Sequence, residues 1–354
     1  MEISVPYRFV AEVLNASGAR IGDYPLTGVD FEPAVQCAHL QELRELVERG
    51  EDSLTAAPAP ARIEPVPCPE RGTPYIGGIE VLFPGRDHGR EFPKTLFHSD
   101  VVRGSGELVR AGTLRDGETF AYRICAFPVE TVAVEADFEL EPTVMAMAVA
   151  AGELSLERRA PGSGWDDADL PVVIAQPVLD EAASLASRAG ELETGGLLLG
   201  RVVVNAQPRY LSVEITALIT APGAIGTQTS LRLGPESFAA VERTLALRDR
   251  SEEMVGWWHS HPHFCSKCPA AEQRNCVYAK PFFSQADSDV HRTLFPQAHS
   301  QALLISDLGA QGQSIDLFGW RQGSIQARGF YEGGAAGTTQ LPTIASPAEG
   351  LGVD

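Results

Sequence analysis

Residues 256–262 read GWWHSHP, and they place two histidines, His259 and His261, two positions apart behind an apolar lead-in. The apolar residues predict a strand over Glu253–His261. In an extended strand, side chains two positions apart point to the same face, so both imidazoles can bind one metal ion. A histidine pair on a strand is more often structural than catalytic, so the pair by itself does not define a site.

Two carboxylates stand where they can complete a metal site with these histidines. Asp287 belongs to the string SQAD, which begins at Ser284, and Glu193 opens the glycine-rich string ETGGLLLGR. Two histidines and one carboxylate leave the fourth position of a tetrahedral zinc open, as in catalytic sites. A second carboxylate that is not a ligand can then serve as general base toward water. Together these residues predict a catalytic zinc site.

Four elements in this order resemble the motif of the JAMM (MPN-plus) zinc metalloproteases, the family of deubiquitinases and prokaryotic JAB peptidases: Glu193, the pair His259 and His261 in HSHP, Ser284, and Asp287. The resemblance covers residues 170–332. It implies an α+β fold in which a mixed, mostly antiparallel sheet is flanked by helices. It also implies zinc as the cofactor, with His259, His261 and Asp287 as its ligands.

The same resemblance assigns chemistry to two further residues. It implies Glu193 as the general base and Ser284 as the hydrogen-bond donor to the oxyanion. Asp289 is a rival ligand two residues after Asp287, and Glu191 is the fallback for the base. Ser284 and Asp287 also form an S-x-x-D capping box, which would explain both residues at the start of a helix.

The chain departs from the family pattern after the second histidine. The family has a short loop there, whereas this chain has an insertion, 263–283, before Ser284. The insertion holds four residues that suit a second, structural zinc: Cys265, Cys268, Cys276 and His263. The alternatives are three reduced thiols, or redox pairing of the first two cysteines. A metal would order a polar loop that cannot bury much apolar surface.

Composition divides the chain into two domains and a tail. A Gly/Ser/Asp-rich break at 160–169 (APGSGWDDAD) separates an N-terminal α+β domain, 1–159, from the JAMM-like domain, 170–332. The N-terminal domain contains no motif that carries chemistry, and its role is open. The tail, 333–354, has almost no large apolar residues and is predicted to be disordered.

Periodicity in the N-terminal half predicts one helix, which begins near Glu32 and stops at Gly50. Residues 51–74, rich in Ala, Pro and Glu, predict an extended surface segment. Strand-like runs are predicted at Ile3–Val13, Tyr75–Phe83, Glu107–Ala111, Phe120–Phe127 and Glu130–Ala136. In the second half, helices are predicted at 177–189, 235–247 and 284–294, between strands.

The net charge of −19 argues against a nucleic-acid partner, because phosphates would be repelled. No apolar run approaches the length of a membrane span, and the first residues lack a secretory signal, which predicts a cytoplasmic protein with no membrane partner. A composition rich in alanine, glycine and arginine is typical of a bacterial protein.

The resemblance implies a zinc-dependent isopeptidase or peptidase that cleaves after the C-terminal tail of a ubiquitin-like protein. The implied partners are a ubiquitin-like protein or its conjugates, together with enzymes of a conjugation pathway. Two alternatives remain: a JAB peptidase that releases a small amino acid or thiol from a carrier protein, and a non-catalytic MPN scaffold module. The complete set of ligands and base argues against the scaffold.

Overall fold

The computed structural model places helices and strands over most of the chain. The described residues are 2–50, 60–86, 89–129, 147–150, 156–159, 166, 169–206, 209–221, 224–227, 229–248, 251–264 and 280–333. Three predictions lie outside these ranges: the strand Glu130–Ala136, the clustered cysteines, and the disordered tail after Gly333. No helix among the described residues is long and apolar enough to cross a membrane.

A seven-stranded sheet forms the N-terminal half. Its strands are β1 (Ile3–Ser4), β2 (Tyr7–Leu14), β3 (Arg20–Leu26), β4 (Ala61–Pro67), β5 (Tyr75–Leu82), β6 (Arg90–Pro93) and β7 (Ala121–Pro128). Their spatial order is β1-β4-β5-β7-β2-β3, with β6 beside β5. The pair β1 and β4 is parallel, and the other pairs are antiparallel.

Two helices accompany this sheet, α1 (Glu32–Glu48) and α2 (His98–Arg110). The helix α1 begins with Pro33 in its first turn, where a missing N–H costs no hydrogen bond. It ends at Glu48, and Gly50 follows its last turn with a φ of 85°, which suits glycine, and an N–H that donates to the Val47 carbonyl at 3.0 Å. Both signals were readable in the sequence, and the predicted helix lies at these residues.

One strand prediction is wrong. The run Glu107–Ala111 reads as a strand, but its first four residues form the last turn of α2. A run of five residues is too short to distinguish the two-residue period of apolar positions in a strand from the 3.6-residue period in a helix. The helix forms because it packs on β3: a Cβ added to Gly104 would lie 2.1 Å from the Tyr24 ring. That contact joins residues far apart in the sequence.

A ten-stranded sheet forms the C-terminal half, with a separate short hairpin. The strands of the sheet are β8 (Met147–Ala150), β9 (Leu156–Arg159), β10 (Val172–Ala175), β11 (Gly195–Ala206), β12 (Arg209–Thr220), β15 (Glu253–His261), β16 (Gln301–Asp307), β17 (Gln313–Arg321), β18 (Ser324–Arg328) and β19 (Phe330–Gly333); the hairpin is β13 (Ile225–Gly226) and β14 (Leu231–Arg232). The helices are α3 (Gln176–Ala189), α4 (Pro235–Arg248) and α5 (Gln285–Leu294).

The order of this sheet is β18-β17-β16-β15-β11-β12-β10-β19-β9, with β8 beside β11. Antiparallel pairs join β18 to β17, β17 to β16, β15 to β11, β11 to β12, and β19 to β9. Parallel pairs join β15 to β16, β10 to β12, β10 to β19, and β8 to β11. The α+β class, with a mixed and mostly antiparallel sheet flanked by helices, is confirmed.

The central strand β15 has two different faces. Trp257 belongs to the apolar cluster that includes residues of α4 and α5, whereas Trp258 belongs to the cluster that includes residues of α3. His259 and His261 lie two and four residues after Trp257, so they share its face. The histidines therefore stand at the end of β15, on the side of α5.

A β-bulge sets this register. The pairing of β15 with β11 shifts at Val255, which therefore points to the α3 face although Trp257, two residues later, points to the other. The bulge needs glycine at position 256, since a Cβ there would lie 1.8 Å from the carbonyl oxygen of Gln301. Gly256 thus determines which residues of β15 face the site.

The two halves are in contact. One apolar cluster includes residues of both sheets, and α1 packs against β12 and β17. Asp169 forms a polar junction: both of its carboxylate oxygens accept from Arg321, its carbonyl accepts from Arg44 of α1 at 3.2 Å, and Arg328 lies 3.8 Å away. The domain boundary at 160–169 stays a prediction.

Candidate metal centre

Three predicted ligands converge at the end of β15. The Nε2 atoms of His259 and His261 lie 3.2 Å apart. The two carboxylate oxygens of Asp287 lie 3.3 Å from Nε2 of His259 and 3.5 Å from Nε2 of His261. Both histidine side chains are almost fully buried, and the side chain of Asp287 is 12% exposed. The ligand atoms therefore face one shared point that is shielded from water.

This donor set fits zinc. Ligands held at about 2.0–2.1 Å from a tetrahedral zinc lie about 3.3–3.4 Å from one another. The two Nε2 atoms are 3.2 Å apart, and each has an oxygen of Asp287, Oδ1 or Oδ2, within 3.5 Å. Lone pairs of two imidazole nitrogens and a carboxylate repel one another at such distances unless a cation or proton lies among them. Two histidines and one carboxylate are also a common set for catalytic zinc.

Asp287 serves as both helix cap and candidate ligand. Its backbone N–H donates to Oγ of Ser284 at 3.1 Å, and its Oδ2 accepts from the Ser284 N–H at 2.8 Å. This capping box fixes the carboxylate in the first turn of α5, directed at the histidines. Asp289, the rival ligand, is exposed and accepts from Gln285 at 3.0 Å. The geometry places Asp287 at the histidines.

Neighbouring side chains stabilise the ionised form of Asp287. Burial opposes ionisation, but hydrogen bonding to His259 and His261 outweighs it, so the pKa of Asp287 lies below its usual range. Burial is also the main reason why the pKa of His261 is lowered. A metal ligand must be an ionised carboxylate or a neutral imidazole, and both pKa shifts favour that state.

Glu193 lies beside the three ligands without belonging to them. Its side chain is 5% exposed, and burial followed by the negative charge of Asp287 raises its pKa to about 8. Its position is fixed from two sides: its N–H donates to Thr227 at 2.8 Å, and the next residue, Thr194, exchanges two hydrogen bonds with Ser260. A carboxyl group whose pKa lies near neutral pH can both accept and release a proton there. Glu191 is exposed.

Aromatic rings surround the histidines, and sequence reasoning missed them. The ring of Trp257 stacks on that of His259, with centroids 4.5 Å apart and an angle of 8°. Phe282 and Phe264 contact the ring of His261, with centroids at 4.7 Å and 5.4 Å. The alternation of β15 could have revealed Trp257, which lies two residues before a ligand. The two phenylalanines lie near the ends of the insertion, 263–283, where no sequence pattern indicated a contact with the histidines.

The predicted structural metal stays a prediction. Cys265, Cys268 and Cys276 lie outside the described residues. His263 is described, and its ring lies against Gly309, where an added Cβ would approach His263 Cε1 to 2.4 Å.

A cleft of about 280 Å³ opens beside His261. Small or polar residues contribute to its lining: Ala186, Ser187, Gly190, Gly312 and Gln313. A larger cavity, of about 500 Å³, lies beside Asp100 and Arg292 and touches neither the two histidines nor Asp287. The lining of the smaller cleft includes Ser260 and residues of α3 but neither His259 nor Asp287, so this cleft lies on the face of β15 opposite the histidine rings.

The fold and site define an α+β domain with a buried two-histidine, one-carboxylate cluster at the end of its central sheet. Residues 175–267 match the family model of prokaryotic homologs of the JAB domain. The chain thus carries a prokaryotic JAB-type domain in its C-terminal half, and the resemblance seen in the sequence is confirmed. The matched range includes Glu193, His259 and His261 and ends before Ser284 and Asp287.

Other comparisons add little. Among the curated proteins, none matches this chain. One similar solved structure is the solution structure of protein DSY2949 from Desulfitobacterium hafniense, which is 15% identical. The match covers 46% of this chain and 92% of that one, with a TM-score of 0.27. A TM-score this low does not establish a shared fold.

Zinc content is expected to depend on the two histidines. The purified chain should contain zinc, and a His259→Ala, His261→Ala double variant should lose one equivalent, because two of the three converging ligands are gone. Elemental analysis measures this, with His98→Ala, an exposed histidine of the N-terminal half, as the control. The same zinc content in the double variant would place the metal elsewhere, with the cysteine insertion as the first candidate.

Proposed function

We propose that this chain is a zinc-dependent isopeptidase or peptidase that cleaves after the C-terminal tail of a ubiquitin-like protein. The observation that carries the proposal is the convergence of His259, His261 and Asp287 on one point, with the buried carboxylate of Glu193 beside them. The JAB-type domain supports it, since the resemblance noted in the sequence includes peptidases of this class.

Each residue has a separate role in this proposal. His259, His261 and Asp287 would hold zinc, which would supply Lewis acidity at the scissile carbonyl and lower the pKa of a water. As the water oxygen bonds to the carbonyl carbon, Glu193 would take its proton. Glu193 would then deliver that proton to the amine nitrogen as the C–N bond breaks.

Ser284 is suited to help at the carbonyl oxygen. Its Oγ accepts the Asp287 N–H through a lone pair, and a hydroxyl keeps its own hydrogen for donation. That hydrogen could be donated to the oxyanion that forms on the carbonyl. The bond to Asp287 would keep the Oγ close to the ligands.

The shape of the site favours a narrow substrate. Phe264 and Phe282, with ring centroids 5.8 Å apart, stand against the ring of His261 and occupy the space beside it. Such surroundings admit an extended chain of small residues better than a bulky one, because glycine lets a backbone approach closely. The C-terminal tail of a ubiquitin-like protein has this form, and its folded body would bind away from the zinc.

The test compares a ubiquitin-like fusion, cleaved after its tail, with the isolated tail peptide and with casein. The fusion is expected to have a kcat/KM about 10-fold higher than the peptide or more, because the folded body supplies binding energy. Equal values, or rapid digestion of casein, would indicate a general peptidase. Binding of the fusion without cleavage by the zinc-loaded chain would indicate a scaffold module. Release of a small group from a carrier, with no cleavage of the fusion, would favour the other JAB activity.

A further inference from the structure

The ring orientation of His259 has an unusual support. A metal-binding imidazole commonly donates its second ring N–H to a carboxylate or carbonyl, which fixes the ring. The Nδ1 atoms of His259 and His261 are buried, and neither has a hydrogen-bond partner among the described residues. The ring of His259 lies instead nearly parallel to the indole of Trp257. The direction of its Nε2 therefore depends on where that indole lies.

The indole is fixed by a hydrogen bond to α5. Nε1–H of Trp257 donates to Nδ1 of His291 at 3.1 Å, and both side chains are buried. His291 lies one helical turn after Asp287, so this bond joins the strand that carries His259 to the helix that carries Asp287. The two elements must keep their relative position for the three ligands to converge.

Packing alone does not explain a histidine at position 291. Burial, and then the charge of Arg292, lowers the pKa of His291 to about 3, so the ring is neutral at neutral pH. Because Nδ1 accepts from Trp257, the proton is on Nε2, which is buried without a partner among the described residues. A buried unpaired donor costs about 1–3 kcal/mol. An apolar side chain could pack against Phe283 and Trp320 without that cost, but it would offer Trp257 no acceptor.

We propose that His291 is a positioning residue of the metal centre. Through its hydrogen bond with Trp257, it keeps the ring of His259 in the orientation that points Nε2 toward the ligand atoms of His261 and Asp287. The inference rests on the zinc site of the proposed function. It concerns metal affinity and coordination geometry, and it assigns His291 no part in proton transfer.

The experiment measures metal binding by the full chain, with Cys265, Cys268 and Cys276 replaced by serine so that a second site cannot contribute. Zinc affinity comes from chelator competition, and coordination geometry from the visible absorption of bound Co²⁺. His291→Phe is expected to weaken zinc binding about 10-fold or more and to change the Co²⁺ bands. His291→Asn places an acceptor near the position of Nδ1 and should recover most of the affinity.

Two variants separate positioning from general stability. Trp258→Phe changes the neighbouring buried indole on the opposite face of β15, so it should lower the melting temperature and leave zinc affinity unchanged. Trp257→Phe keeps an aromatic ring against His259 and removes the N–H. In that background, His291→Phe should have little further effect on zinc binding, because the hydrogen bond is already absent.

Several results would overturn the inference. These are an unchanged zinc affinity in His291→Phe, an equal loss in Trp258→Phe, or an undiminished effect of His291→Phe in the Trp257→Phe background. Absence of zinc binding by the serine-substituted parent chain, with its fold intact by circular dichroism, is a different result and would overturn the proposed zinc site itself.

Discussion

A Glu193→Gln variant is expected to turn over substrate about 10²–10⁴-fold more slowly than the unmodified chain while it keeps its zinc. Glutamine has the shape of glutamate but cannot accept a proton. Glu193 is buried close enough to Asp287 for the negative charge of Asp287 to raise its pKa, yet it does not belong to the cluster of three converging ligands. The measurements are kcat on a ubiquitin-like fusion and zinc content by elemental analysis.

Glu191→Gln is the matched control for this variant. It makes the same change two residues earlier on the same segment, at an exposed side chain, and should leave both turnover and zinc content near those of the unmodified chain. Normal cleavage by Glu193→Gln together with a loss in Glu191→Gln would move the general base to Glu191. Loss of zinc in Glu193→Gln would make Glu193 a ligand instead of a base.

The parts of the site that follow from local geometry could be predicted from the sequence. His259 and His261 share a face because they are two residues apart on a strand, and β15 has the predicted bounds, Glu253–His261. Asp287 is directed by a capping box that lies within four residues of sequence. Such features need no knowledge of the tertiary fold.

The supporting contacts could not be predicted in this way. The bond between Trp257 and His291 joins residues 34 positions apart, across a segment whose path the sequence does not indicate. The bulge at Val255 depends on how β11 pairs with β15, and three strands and α4 separate these two strands in the chain. Both features depend on long-range packing.

Proline content misled the prediction for residues 51–74. The described part of this predicted surface segment contains β4, in which Ala61 and Ile63 are buried. Proline is tolerated there because β1 pairs only with Ala61 and Arg62, so β4 has β5 alone as a neighbour at Pro65 and Pro67. The sequence contains the prolines but does not show that they lie on an open edge.

The contact between the halves depends on buried charges. The side chain of Arg328 is 2% exposed; it donates to the Leu170 carbonyl at 2.8 Å and has Asp169 at 3.8 Å as its carboxylate partner in the ion pairs described. Arg321, also largely buried, donates twice to the same Asp169. Burial lowers the pKa of Arg328, and the negative charge of Asp169 opposes that shift. Asp169 thus acts on both guanidinium groups at the junction with α1, and the negative charge of Asp166 adds to its effect.

An Asp169→Ala variant is therefore expected to lose about 3–5 kcal/mol of unfolding free energy, because it removes the carboxylate that pairs with two largely buried guanidinium groups. Denaturant unfolding measures the loss, and Asp180→Ala, which removes an exposed carboxylate on α3, should change the stability by no more than about 0.5 kcal/mol.

The cause can be isolated by adding Arg328→Met, which removes the most deeply buried charge and keeps an apolar side chain of similar length. The double variant should regain part of the lost stability, since an apolar residue needs no partner in a buried site. If the double variant is as unstable as Asp169→Ala alone, the loss comes from the hydrogen bonds to Arg321, and the charge of Arg328 is not what Asp169 compensates.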